Sequence, residues 1–188
     1  MGQGAATADI FTRQSPEIRL LIAKVFFKKL SCTPLQIAAA IHWQIERGAQ
    51  LINMSFGLHA DRPVLRKACE SALQAGLVLV ASSPARGDPV YPAHYPGVIR
   101  ATGDARCNQG EISYLNSPQA DFGGYVRAEK AAIAGASVGC AYVTASVIHV
   151  LLENPHLSRA SLITHLAANA IYSGPENRTH RVSSHCDE

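Results

Sequence analysis

The stretch Leu51-Ile52-Asn53-Met54-Ser55-Phe56-Gly57 decides the fold. Its first four residues are apolar apart from Asn53, too short a run for a helix and too continuous for a strand with one wet face. That is the pattern of a buried parallel strand, and parallel strands are joined by crossover helices. Both flanks supply one. Upstream, Pro34 stands where helices begin, Leu35, Ala38, Ile41 and Ile45 share one apolar face, and Gly48 ends the run. Downstream, Pro63 opens a second helical segment that Gly76 closes. Residues 20–25, 77–81 and 98–101 repeat the short run of Leu, Ile, Val and Ala, so strands and helices alternate. The class is α/β, a parallel sheet flanked by helices.

Between the strands ending at 81 and beginning at 98, residues 82–97 turn to Ser, Pro, Gly, Tyr and Asp, a loop with no room for a crossover helix. A second irregular stretch is expected over residues 104–130, followed by helices over 137–152 and 158–171. The 188 residues are 47% hydrophobic and 16% charged, enough apolar material for one core. The expected partition is one domain over residues 1–175 and a polar tail over 176–188.

Composition also narrows the partners. A formal charge of +3, scattered along the chain, is no electrostatic footprint for nucleic acid. No run approaches about eighteen uninterrupted apolar residues, and the start has neither a basic n-region nor an apolar h-region, so neither a membrane span nor secretion is expected. Cys32, Cys69, Cys107, Cys140 and Cys186 are odd in number, widely spaced and without a CxxC pair, which reads as reduced thiols in a cytoplasm. The eight histidines include no HExxH, and His180 and His185 fall in the polar tail. Asp88 and Asp104 stand apart from any acidic cluster, so no metal or cofactor is expected.

One peptide carries nucleophile chemistry. Gly135-Ala136-Ser137-Val138-Gly139-Cys140-Ala141-Tyr142-Val143 sets a serine behind two small residues at the start of an apolar helix. There the free N–H groups and the macrodipole favour an oxyanion, and small neighbours admit a substrate backbone. An ordinary helix-capping serine explains the same peptide by itself.

The order of these segments resembles the subtilase family of serine peptidases. Leu51-Ile52-Asn53-Met54-Ser55-Phe56-Gly57 is similar to the family's VINMSLG strand and substrate edge. Residues 75–83 resemble its AGVVVVAAAGN strand, and residues 91–99 its YPAxYPxVIAVGA continuation. Gly135-Ala136-Ser137 resembles the GTS segment, and Asn154-Pro155-His156-Leu157-Ser158 the NPxLT ending, so the likeness covers roughly residues 1–172. The resemblance implies a subtilisin-like sheet, Ser137 as nucleophile, and peptide substrate held by Ser55, Phe56, Gly57 and Gly135. Phe56 lines a pocket wall in this reading, or is a core aromatic at a strand end. The family's catalytic histidine aligns with Gln3, and its oxyanion asparagine with Ala85, with Ser83 and Arg86 as alternative donors nearby. The family's aspartate strand falls upstream of residue 1, so the chain reads as N-terminally truncated. Residues 20–25 are then an exposed strand edge that a second chain or a longer chain would cover. Gly103-Asp104-Ala105-Arg106-Cys107, with Glu111-Ile112-Ser113 and residues 119–123, is similar to a short, prodomain-free subgroup. That subgroup includes the leader-processing protease of quinohemoprotein amine dehydrogenase maturation, which implies a leader peptide as substrate.

An amide cannot take the serine proton at neutral pH, so Gln3 leaves Ser137 weakly nucleophilic. Loss of the base costs subtilisin about 2 × 10⁶ in turnover, and loss of the oxyanion side chain about 2.7–4 kcal/mol. Two functions remain: a serine endopeptidase by descent, nearly inert as this polypeptide, or a pseudoprotease that binds peptide without cutting it. A nucleotide site at Gly2-Gln3-Gly4 lacks the preceding strand and the acidic ribose partner.

Overall fold

A computed structural model describes residues 3–26, 32–127 and 135–175, with Gln3 by its backbone alone. The tail over 176–188, with His180, His185 and Cys186, lies outside the described residues. In chain order the elements are α1 (Gln3–Gln14), α2 (Pro34–Glu46), β1 (Leu51–Met54), α3 (Pro63–Gln74), β2 (Val78–Ser82) and β3 (Ile99–Gly103). Then come β4 (Ile112–Tyr114), β5 (Phe122–Gly124), α4 (Ala136–Glu153), α5 (Arg159–Ala168) and β6 (Tyr172–Ser173).

The strands form one sheet in the order β1-β2-β3-β5-β4-β6. All neighbours are parallel except β4 and β5. Alternate residues of β2 explain the layers. Leu79 and Ala81 face a core built by α2 and α3, through Ile37, Ile41, Leu65 and Ala72. Val80 faces the other, where Val143 and Val147 of α4 meet Leu162 and Leu166 of α5. Both faces are covered, as the apolar strands required. α1 adds a third layer, packing Ile10 and Phe11 on the outer side of α4 against Val138, Ala141 and Tyr142. By length and composition α4 could cross a membrane; more than half of it is buried inside the fold, which accounts for its apolar character.

Local chemistry sets the helix starts. Thr33 caps α2 in a capping box: its hydroxyl accepts from the Gln36 N–H (3.2 Å) while Gln36 Oε1 accepts from the Thr33 N–H (2.8 Å). Pro34 supplies the first helical position, as Pro63 does for α3.

Two expectations are corrected. Residues 20–25 are not a strand: they run without strand pairing, and the Leu21 carbonyl accepts from Gln44 Nε2 of α2 (3.2 Å). Their apolar character reflects partial burial, Leu20 packing with the α1 and α4 cluster while Ile22 stays 71% exposed. Among the described residues the sheet ends on this side at β1, which pairs only with β2. The stretch 104–130 is not wholly irregular, because it contains β4 and β5, each too short to print a period in the sequence. Residues 3–14, for which the sequence set no expectation, form the helix α1.

Candidate active site

Two glycines bring the N-terminus of α4 to the sheet. Gly135, the N-cap, has φ 100° and ψ −153°, a region open in practice only to glycine, and this turn aims the first helical residues. Gly139 lies against β3 so closely that a β-carbon there would stand 2.2 Å from the Thr102 carbonyl oxygen. Gly135→Ala is therefore expected to cost about 1–3 kcal/mol in urea unfolding, with the m-value unchanged.

Ser137 sits in this first turn, half-buried, and does not cap the helix. Its hydroxyl donates to the backbone carbonyl of Ser55 just beyond β1 (3.3 Å), which removes the helix-capping reading of this serine. Helices leave their first N–H groups without internal partners, so Ala136 and Ser137 can offer backbone donors toward an oxyanion. Ser137 and Ser55, 82 residues apart in sequence, thus meet at one corner of the molecule.

The other expected residues fall as follows. Gly57 is exposed, with Val90 packed beneath it so that a β-carbon would approach Val90 Cγ2 to 2.9 Å. Phe56 is half-buried, packs on the α2–α3 core and meets Phe26 edge to face at 6.2 Å, so it serves core and surface together. Gln3 opens α1, the helix that packs along α4. Ala85 is exposed in the loop after β2, as is Arg86. Ser83, considered as a substitute oxyanion donor, is buried and its hydroxyl is committed to the Gln119 carbonyl (2.6 Å); it ties two loops together instead.

Sequence reading missed Asn53 as part of this corner. Its amide bonds to the Ser55 hydroxyl and to Cys140 and Thr144 of α4. The available signal was a single polar residue in a strand buried on both faces, since such a group needs partners.

Of the four described thiols, Cys69, Cys107 and Cys140 are buried, and Cys32 is partly buried with its pKa also raised by desolvation. Burial pushes Cys69 and Cys140 up to about 12 and Cys107 up to about 11, so all three stay protonated at neutral pH. Nor do the described residues hold a group of three or more His, Cys, Asp or Glu side chains placed to bind a metal ion.

The segment over 103–123 serves the sheet. Buried Asp104 accepts from Arg106 and from the Ser113 hydroxyl (2.6 Å), and Arg106 also reaches the Gly174 carbonyl and lies over Tyr172, locking β4 to β6. Burial alone would raise the Asp104 pKa; the hydrogen bonds from Arg106 and Ser113, with the Arg106 charge, outweigh it and hold the carboxyl below its usual range. Its contribution to stability is complete above the unfolded value, about 3.9, and is lost as pH falls through the lower folded value. Thermal melts below about pH 4 should accordingly fall less steeply in Asp104→Asn than in the parent chain.

Residues 2–186 match the Subtilase family, Peptidase_S8. Subtilisin DY of Bacillus licheniformis is 26% identical over 175 residues, covering 85% of this chain and 64% of the relative. The thermostable alkaline protease of Halalkalibacterium halodurans is 33% identical over 87 residues, 45% of this chain and 24% of the relative. The chain thus spans less than two thirds of the length of these curated relatives. Among solved structures, a lanthipeptide protease shares the fold with a TM-score of 0.60 at 13% identity, covering 88% of this chain and 66% of that one. The S41 psychrophilic protease does so with a TM-score of 0.58 at 16% identity, over 80% and 61%. A family match across nearly the whole length, on a subtilisin-like α/β sheet with a serine at the mouth of its central helix, means that this chain belongs to the subtilase family.

Proposed function

We propose that this chain carries the nucleophile and the peptide-binding edge of a subtilisin-like serine endopeptidase, with Ser137 as nucleophile and residues 55–57 as the edge along which an extended substrate adds as a strand. The observation that supports it above all is the Ser137 hydroxyl, in the first turn of α4 and 3.3 Å from the Ser55 carbonyl. A substrate carbonyl lying there would face both the hydroxyl and the N–H groups of the helix start. Main-chain hydrogen bonds give affinity in this mode, and Phe56 and Gly57 give shape.

A second reading, peptide binding without hydrolysis, is favoured by two specific features. Gln3 stands at the start of α1, where the family has its base, and the Ser137 proton is donated to a peptide carbonyl, which cannot remove it. Ala85 in turn offers no side-chain donor to an oxyanion.

The substrate we propose is a leader peptide on a precursor, on the resemblance of residues 103–107, 111–113 and 119–123 to the leader-processing subgroup and on the fold shared with a lanthipeptide protease. The compartment we propose is the cytoplasm, which suits the free thiols Cys32, Cys69, Cys107 and Cys140. A second chain that pairs with the sheet would do so along the outer edge of β1.

A fluorophosphonate probe tests the nucleophile. The expected result is slow labelling at Ser137, absent in Ser137→Ala, together with saturable binding of an extended peptide by both proteins. Fast labelling would remove the pseudoprotease reading, and absence of both labelling and peptide binding would remove the whole proposal.

A further inference from the structure

We propose that Asn53 is the positioning residue of this site: a side-chain amide in β1 that clamps α4 to the strand edge and so holds the Ser137 hydroxyl where an extended peptide would lie. The inference rests on the reading of Ser137 as nucleophile. Asn53 Oδ1 accepts from Thr144 Oγ1 (3.0 Å) and from Cys140 Sγ (3.3 Å). These donors are four residues apart, one turn above the other on the same face of α4. On its other side Asn53 Nδ2 donates to Ser55 Oγ (2.9 Å), and the Ser55 carbonyl receives the Ser137 hydroxyl. The hydrogen bonds close a ring: from Ser137 to Ser55, through Asn53 to Cys140 and Thr144, and back down the helix.

Each member has a reason to be where it is. Thr144 is fully buried, so its hydroxyl needs a partner, and the amide oxygen of Asn53 supplies one. Cys140 is fully buried too, its thiol pushed up to about 12 by desolvation, and as S–H it donates to Asn53 Oδ1. With Cys140 a donor, the amide oxygen must face the helix and the amide nitrogen must face Ser55, which gives the side chain one productive orientation. An apolar residue at 53 would fill the space but take from Thr144 its bond to the strand and from Ser55 its bond to Asn53. Within the ring, Asn53 alone spans strand and helix through side-chain bonds on both sides.

The functional consequence is geometric. Attack needs the hydroxyl about 3–3.5 Å from the substrate carbonyl carbon, and misplacement by about 1 Å can cost about 10²-fold in rate. A clamp acting on this distance changes the acylation step and leaves peptide affinity alone, because the edge at residues 55–57 keeps its main-chain groups.

The test uses a peptidyl phosphonate diphenyl ester on the full chain, resolving the maximal rate at which Ser137 is phosphonylated, with release of phenol, from the half-saturating concentration, and the dissociation constant of the unreactive parent peptide is measured alongside. Thr144→Val should lower the maximal rate about tenfold and Asn53→Ala about a hundredfold, with both concentration terms within about twofold of the parent. Thr144→Ser should restore the rate. A folded Asn53→Ala with the parent rate, or a loss of rate matched by an equal loss of peptide affinity, overturns the proposal. Should Asn53→Ala not fold, the Thr144 pair carries the same comparison. Should the parent chain show no phosphonylation, the nucleophile reading fails by itself and the clamp is judged by structure. The Ser137 Oγ to Ser55 carbonyl distance, 3.3 Å in the parent, should then lengthen by about 1 Å in Thr144→Val or Asn53→Ala, and an unchanged distance overturns the clamp.

Discussion

Gln3→His should raise the rate at which Ser137 is phosphonylated by a fluorophosphonate, with loss of fluoride, by about 70-fold. The figure comes from two losses in subtilisin, where removing the base costs about 2 × 10⁶ in turnover and removing the aspartate alone about 3 × 10⁴. A histidine restored without its aspartate should recover the ratio of the two. The physical reason is that an imidazole can take the hydroxyl proton that a carboxamide leaves in place. Gln3 opens α1, and α1 packs through Ile10 and Phe11 along the helix that carries Ser137. The gain should follow deprotonation of an imidazole, rising with pH through about 6.5. An unchanged rate would mean that position 3 does not face the serine.

Gly139→Ala should destabilise the chain by about 1–3 kcal/mol and lower acylation of Ser137 by about 10²-fold. One methyl group has this leverage because its neighbours are backbone: the new carbon would stand 2.2 Å from the Thr102 oxygen and 2.5 Å from the Gly103 Cα. Neither can turn aside as a flexible side chain would, so α4 must lift from β3. Ser137 lies two residues earlier on that helix and moves with it, away from the Ser55 carbonyl. Gly4→Ala is the matched control. It lies within α1, where a β-carbon meets nothing within 4 Å, and it should be neutral or mildly stabilising. Urea unfolding of the two variants checks the contrast, and equal stability would mean that the helix and sheet can separate at little cost.

Much of the framework was legible because its signals are local. β1, β2 and β3 are short runs of mostly apolar residues, α2 and α3 begin at Pro34 and Pro63, and Gly48 and Gly76 follow the helix ends with positive φ. The errors share one cause. Apolar composition reports burial and not hydrogen-bond pairing, so residues 20–25 read as a strand although they only lean on α2 and the α1–α4 cluster. Conversely, β4 and β5 are three residues each and pair across a turn, and nothing periodic fits in three residues. The site divides in the same way. Ser137 and Ser55 were each marked by their own short motifs, and Gln3 and Ala85 by position within a family pattern. The role of Asn53 and the engagement of Ser83 with Gln119 depend on partners dozens of residues away.

Taken by itself, the order of residues determined that this is an α/β chain and that a serine stands behind Gly135 and Ala136 at the head of an apolar helix, with the motif order of the family around it. Tertiary structure decided which hydroxyl meets which carbonyl, how closely α4 lies on β3, and which amide holds the two together. The division follows from range. Backbone preference and hydrophobic period act over a few residues, whereas a hydrogen bond across 82 residues exists only after the sheet and helices have packed and removed the competing water.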